Sequence, residues 1–152
     1  MKFKETVCFD DVLLEPKKST IKSRQEVDLT TYIDDASFRL PIVSSPMDTV
    51  TEKEMCLKML SAGGLGIIHR YNTVKEQCNL VRSIAADLED TASEYINKIS
   101  CAVGVSQDFL ERSSALFDAG VRILCIDVAH GHHSLMEAAI KKIKDRYGSS
   151  MK

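Results

Sequence analysis

One unit constrains this chain more than anything else. After Pro41 it occurs four times: a short apolar run, a helix-start signal and an amphipathic stretch, closed by a glycine stop in three of the four. In the first unit Pro41-Ile42-Val43-Ser44-Ser45 reads as a strand. Thr51-Glu52-Lys53-Glu54 has the form of a capping box, in which hydroxyl and carboxylate satisfy each other's orphan amides. Met55, Cys56, Met59 and Leu60 share a helical face, and Gly63-Gly64 ends it, because glycine accepts the left-handed conformation a helix stop needs. In the second unit Leu65 to His69 is the strand and Thr73-Val74-Lys75-Glu76 the capping box. Val74, Cys78, Val81, Ile84, Ala85 and Leu88 form its apolar face. The third runs from Ile99 to Val105, with Ser106 as N-cap and Phe109, Leu110, Leu116 and Phe117 as the face before Gly120. The fourth has Val121 to Asp127 as strand and Ser134-Leu135-Met136-Glu137 as capping box. Met136, Ala139, Ile140 and Ile143 follow at helical spacing, with Gly148 as stop.

Strands alternating with helices of this length predict an α/β fold with a parallel sheet covered by helices. Apolar runs without alternation predict strands buried on both sides. Four such units are half of a (β/α)₈ TIM barrel. A half barrel leaves two open sheet edges and an uncovered apolar interior. A four-stranded open sheet of flavodoxin type fits the same pattern equally well. Residues 1–40 read as an irregular lead-in, 41–152 as the four regular units, and Asp87 to Lys98 as a short polar linker within them.

Composition narrows the partners. The length of 152 residues suits one domain, and a net charge of -2 with scattered Lys and Arg predicts no nucleic-acid partner. The densest basic pairs, Lys17-Lys18 and Lys141-Lys142, read as solvated faces. Five cysteines stand far apart with no C-x-x-C pair, which argues against disulfides or structural zinc, and most lie in apolar runs, which predicts small buried hydrophobes. MKFKETVCFDD has no apolar core of a signal peptide, and no run approaches the roughly 18 apolar residues of a membrane span. The expected location is therefore cytoplasmic, with no membrane association.

The chemistry-bearing residues cluster where the predicted strands end, and active-site groups of α/β folds gather at C-terminal strand ends. Those ends read Ser44-Ser45-Pro46-Met47-Asp48-Thr49-Val50, His69-Arg70, Gly104-Val105 and Asp127-Val128-Ala129-His130-Gly131-His132. His130, His132 and His133 beside Asp127 match no zinc spacing, so no metal site is predicted. Ser45 lacks the G-x-S-x-G elbow of a nucleophilic serine. Asp48 with Glu52 could pair as acid and base, but an acid at a helix start explains Glu52 more simply.

SSPMDTVTE, GGLGIIHR, AVGV and the Asp-x-Ala-His-Gly-His turn, in that order, resemble the IMP dehydrogenase / GMP reductase family, as does the opening FDDVLLEPKKSTIKSR. The resemblance covers nearly the whole chain. It implies a TIM barrel, with the lead-in crossing the barrel mouth, and oxidation of IMP to XMP with NAD. The alternative reaction is reductive deamination of GMP to IMP with NADPH. Ser45 and Met47 would lie against the purine nucleotide. Asp127 would bond the ribose of the nicotinamide cofactor, with Arg70, His130 and Gly131 nearby; Gly104 and Gly131 would let backbone approach a ligand closely. The family's nucleophilic cysteine lies on a loop after the sixth strand, near the phosphate-binding glycines and the monovalent-cation (K+) site. None of the five cysteines matches that loop, so no catalytic residue is assigned. The regulatory (CBS) repeats that most IMP dehydrogenases insert after the second helix are replaced by the 87–98 linker. GMP reductases also lack that insert, whereas SSPMDTVTE favours the dehydrogenase. The resemblance further implies a complementary C-terminal half, on a second chain or a missing segment, and a tetramer when complete. A non-catalytic, nucleotide-binding truncated relative is the other reading.

Overall fold

The computed structural model describes residues 3–88, 95 and 97–152. Most of the 87–98 linker lies outside the described residues. Residues 3–30 are exposed throughout and hold two single 3-10 turns, and Phe9, Leu13 and Leu14 are each 97% exposed. The lead-in is not irregular throughout. Strands β1 (Thr31–Ile33) and β2 (Ala36–Phe38) form an antiparallel hairpin. Its turn passes through Asp34 at φ 54°, a left-handed position that aspartate tolerates better than most residues.

The alternation follows the hairpin: β3 (Val43–Ser44), α1 (Lys53–Ala62), β4 (Leu65–Ile68), α2 (Val74–Asp87), β5 (Ser100–Val103), α3 (Phe109–Asp118), β6 (Ile123–Ile126) and α4 (Ser134–Tyr147). The four later strands form one parallel sheet in the order β3-β4-β5-β6. Spatial order equals chain order. A flavodoxin-type sheet needs a point where the order reverses, so this topology sets that alternative aside. It is consistent with part of a TIM barrel, in which successive right-handed crossovers place every helix on one face.

The two faces differ as the strand pleat dictates. Ile68, Cys101 and Val103 point to the helices, where Cys56 and Leu60 of α1, Cys78, Val81 and Ile84 of α2, and Leu116 of α3 complete the main core. Alternate residues Leu65, Ile67, Ala102 and Ile123 point the other way and are covered by Ala36 and Phe38 of the hairpin. Each of the leucine, isoleucine, valine and phenylalanine side chains contributes about 1.5–3 kcal/mol by leaving water. Gly66 is required by packing: a Cβ there would lie 2.8 Å from Cys56 Cα, so β4 and α1 touch backbone to backbone. Gly63 is required by conformation, with φ 91° at the C-cap and its amide donating to Leu60 and Met59 carbonyls.

Several local expectations need correction. The Thr73 and Glu76 capping box forms in full. The Thr51 and Glu54 box does not: Glu52 is the N-cap of α1 and makes no side-chain cap bond, because the Thr51 hydroxyl is buried and turned toward β3. Ser106 is not the N-cap of α3. Gln107 takes a left-handed φ of 56° and the helix begins after Asp108, whose carboxylate holds Arg112 instead of capping. The Ser134 box is absent as well, since His133 caps α4 by accepting from the Leu135 amide. Met55 and Ile140, read as face residues, are exposed.

Past α4, Met151 is fully buried. Lys152 donates its amide to Arg122 O at 2.8 Å and accepts from the Leu124 amide at 3.0 Å. Two bonds straddling Ile123 are the pattern of a parallel bridge. Residue 152 thus extends the sheet beyond β6, and its ammonium reaches Asp35 of the hairpin turn. No helix among the described residues is long and apolar enough to cross a membrane.

Candidate functional site

Because the sheet strands are parallel, the residues that follow each strand share one rim. Ser45 follows β3, His69 and Arg70 follow β4, Gly104 follows β5 and Asp127 follows β6. The hairpin covers the opposite rim, where Phe38 and Ala36 meet Leu65 and Ile123, the first residues of β4 and β6.

The turn after β3 is held from beneath. Thr51 Oγ1 lies 2.7 Å from Ser45 O and 2.8 Å from Ser44 Oγ. A carbonyl only accepts, so the single Thr51 proton goes to Ser45 O and the Ser44 hydroxyl donates in return. The Met47 amide also donates to Ser45 O, at 2.8 Å, and Met47 O accepts from the Val50 and Thr51 amides. Ser45 and Met47 are left facing solvent.

His69 is buried. Its Nδ1 accepts from the Tyr71 amide at 3.2 Å, which leaves the proton on Nε2, and Nε2 donates to Glu52 Oε1 at 3.1 Å. This fixes the ring as the neutral Nε2–H tautomer and gives Glu52 a structural duty, tying the start of α1 to the end of β4.

Arg70 and Asp127 meet across the rim. Arg70 Nε donates to Asp127 Oδ2 at 3.2 Å and Nη2 to Asp127 O at 3.3 Å. The guanidinium passes over Gly104, where a Cβ would meet Arg70 Nη1 at 3.5 Å. The two side chains are 36% and 29% exposed, so the pair is open to a ligand. It borders a cleft of 380 Å³ lined also by Gly104, Val105, Asp108 and Ala129. Ligand sites run to about 300–1,000 Å³, so the cleft lies at the small end of that range.

Of the predicted site residues, the fold brings Arg70 and Asp127 into contact. His130 and Gly131 lie on the exposed turn before α4, with the His130 ring 6.5 Å from that of His133. Among the described residues no hydrogen bond or ion pair joins Ser45, Met47, His130 or Gly131 to the Arg70–Asp127 pair. Nor do three His, Cys, Asp or Glu side chains converge as metal ligands among the described residues.

Burial pushes the Cys56 thiol up to about 12 and raises Cys78. Cys101 goes up through burial and its cysteine neighbours, and Cys125 through burial and the nearby Asp127 carboxylate. A thiol in such surroundings stays protonated and inert.

Three rim-supporting residues escaped the sequence reading. Thr51 has the motif of a cap but bonds to Ser45 O and Ser44 Oγ instead. Gln77 is fully buried and bonds to His69 O and Ala102 O, and Arg112 is 7% exposed and bonds to Gln77. For Gln77 a signal existed: Val74, Gln77, Val81 and Ile84 lie at helical spacing, so an amide stands inside an apolar stripe.

Comparison with known proteins identifies the family. A family model described as the IMP dehydrogenase / GMP reductase domain matches residues 6–152. An inosine-5'-monophosphate dehydrogenase of Borreliella burgdorferi is 31% identical over 187 aligned positions, covering 95% of this chain and 46% of the relative. That of Nitrosopumilus maritimus is 52% identical over 85 residues, 55% of this chain and 18% of the relative. A GMP reductase of Leishmania donovani is 41% identical over 81 residues, 53% of this chain and 16% of the relative. The chain therefore spans less than half the length of these relatives. With all four strand-end clusters inside the matched segment, the chain belongs to the IMP dehydrogenase / GMP reductase family.

Proposed function

We propose that this chain supplies the first four β/α units of a purine nucleotide oxidoreductase barrel, and that the reaction is NAD-dependent oxidation of IMP to XMP. The observation that carries the reading is the Arg70–Asp127 pair over Gly104, at the rim where such barrels place their chemistry. The donor set suits a nicotinamide dinucleotide. Asp127 Oδ1 is left to accept a ribose hydroxyl while Oδ2 stays on Arg70, and a charge-assisted bond of this kind is about twice as strong as a neutral one. Arg70 orients the carboxylate, and the exposed His130–Gly131 turn lies beside it in sequence. Ser45 and Met47, presented by the Thr51 latch, would hold the purine nucleotide. When bound, the cofactor supplies a hydride acceptor for the purine C2 position, and the protein's task is to orient both partners.

The rest of the barrel, with the nucleophilic cysteine and the K+ site, would come from a second polypeptide or a continuing segment. Two features support this. Lys152 bonds to the edge of β6 in parallel register, and Phe9, Leu13 and Leu14 of the lead-in present apolar surface that a larger barrel would cover. Assembly to a tetramer and a cytoplasmic setting belong to the same reading.

The test is turnover. The 152-residue chain alone is expected to show none with IMP and NAD, and NADH formation is expected when the complementary half is added. Consumption of NADPH with GMP by that assembly would select the reductase reading, which the similarity to a Leishmania donovani GMP reductase keeps in view. Steady turnover by the isolated chain would overturn the half-barrel proposal.

A further inference from the structure

We infer that Gln77 and Arg112 are positioning residues: a buried polar brace that fixes the gap between the ends of β4 and β5 across which Arg70 reaches Asp127. The hydrogen-bond ladder explains why a brace is needed. Pairing of β4 with β5 stops at Ile68 and Cys101, whereas β5 and β6 stay paired to Val103 and Ile126, and the Asp127 amide still donates to Val103 O. Beyond Cys101 the rim opens on one side only. His69 O and Ala102 O face this opening, and Gln77 Nε2 donates to both, at 2.9 and 3.0 Å.

The amide has one possible orientation. Its oxygen accepts from Arg112 Nη1 at 2.8 Å. A flipped amide would set oxygen against two carbonyls and an N–H₂ against a guanidinium, leaving three like-signed contacts. Arg112 is fixed in turn by Asp108, through Nε at 3.0 Å and Nη2 at 2.8 Å, and its Nη2 also donates to Asn72 O at 3.0 Å.

The brace therefore grips both ends of the short turn that carries Arg70. Gln77 holds His69 O on one side of it and Arg112 holds Asn72 O on the other. Through Ala102 O, Gln77 also sets the height of the strand whose Gly104 lies under the guanidinium. An apolar side chain of similar volume would pack α2 against the sheet as well but orient nothing, and buried polar networks fix geometry only when every member is satisfied. Assigning the Arg70–Asp127 pair to a cofactor rests on the proposed function; the brace does not.

Nuclear magnetic resonance of the full 152-residue chain tests it without any nucleotide. In the unaltered protein the two Gln77 side-chain protons should be protected from exchange and show through-bond couplings to the His69 and Ala102 carbonyl carbons. Gln77→Glu keeps the volume and the Arg112 partner but removes both donors. The Arg70 Nε–H signal is expected to shift and to lose about tenfold in protection, the size expected from one lost hydrogen bond. The backbone amides shared by β5 and β6 should keep theirs. Gln77→Met should act in the same direction. An unchanged Arg70 signal in a folded Gln77→Glu protein would overturn the inference. If both variants fail to fold, the unaltered chain decides, since missing couplings there overturn it equally. Failure to bind NAD would count against the proposed function and leave these readouts standing.

Discussion

The two rims of one sheet are built on opposite principles. At the rim where the strands start, Ala36 and Phe38 lie over Leu65 and Ile123, an apolar lid that continues along the same face of the sheet to Ile67 and Ala102. At the rim where they end, the ladder opens, glutamine and arginine replace it, and a charged pair faces solvent. Apolar burial is non-directional and worth energy in proportion to area, whereas hydrogen bonds fix direction and contribute little net. The first rim stabilises the fold, and the second sets positions.

The comparison can be broken most strongly at the lid. Phe38→Ala should cost about 3–5 kcal/mol, the range for deleting a buried aromatic ring. Urea unfolding of the chain would measure it, and the Arg70 Nε–H signal should stay where it was. A large shift of that signal would mean the rims are not independent.

Alkaline pH attacks the core between the rims. The Cys56 thiol is raised from 9.0 to about 12 by burial, so its contribution is fully present below pH 9 and is lost as pH climbs toward 12. Stability measured across that window should fall with pH. Cys56→Ala should flatten the slope even though it lowers stability at neutral pH.

On the finishing rim the effects on stability shrink while those on position grow. Thr51→Val keeps the shape and removes one hydroxyl, so a loss of about 1 kcal/mol is expected. The Ser44–Met47 turn should loosen, seen as faster exchange of the Met47 amide, which bonds to Ser45 O. Asp127→Asn should change stability by less than about 1 kcal/mol, because the pair is part-exposed and screened. On the proposed function the same change should weaken dinucleotide binding at least tenfold, readable by calorimetry on the complete assembly.

The smallest effect lies in a cap outside both rims. The Glu76 carboxyl is held below its ordinary 4.5 by the Thr73 amide and then the Thr73 hydroxyl. Its stabilising contribution is present above pH 4.5 and disappears as pH falls through the lowered value. Glu76→Gln should remove that acid limb from the profile of melting temperature against pH.

How legible was this in the residues? The alternation of strands and helices, the Thr73 capping box and the Gly63 stop could be read directly, since each is a local matter of hydrogen bonds within a few residues. The hairpin in the lead-in was missed: three-residue strands carry too little pattern, and β2 is held by residues of the sheet far along the chain. Thr51 differs from its sequence motif because a hydroxyl before a helix has local and distant partners, and a short-range motif cannot say which it takes. Ser106 and Ser134 differ because the helices start elsewhere, after Asp108 and after His133.

For the site, residue types pointed to the strand ends, and Arg70 and Asp127 were singled out from family resemblance. What only the tertiary structure decided is that these two, 57 positions apart, touch over Gly104, and that Gln77 and Arg112 hold the opening beneath them. Periodicity encodes which face of an element is buried. It does not encode where a parallel ladder stops, because that depends on how two strands twist apart once the helices behind them have packed.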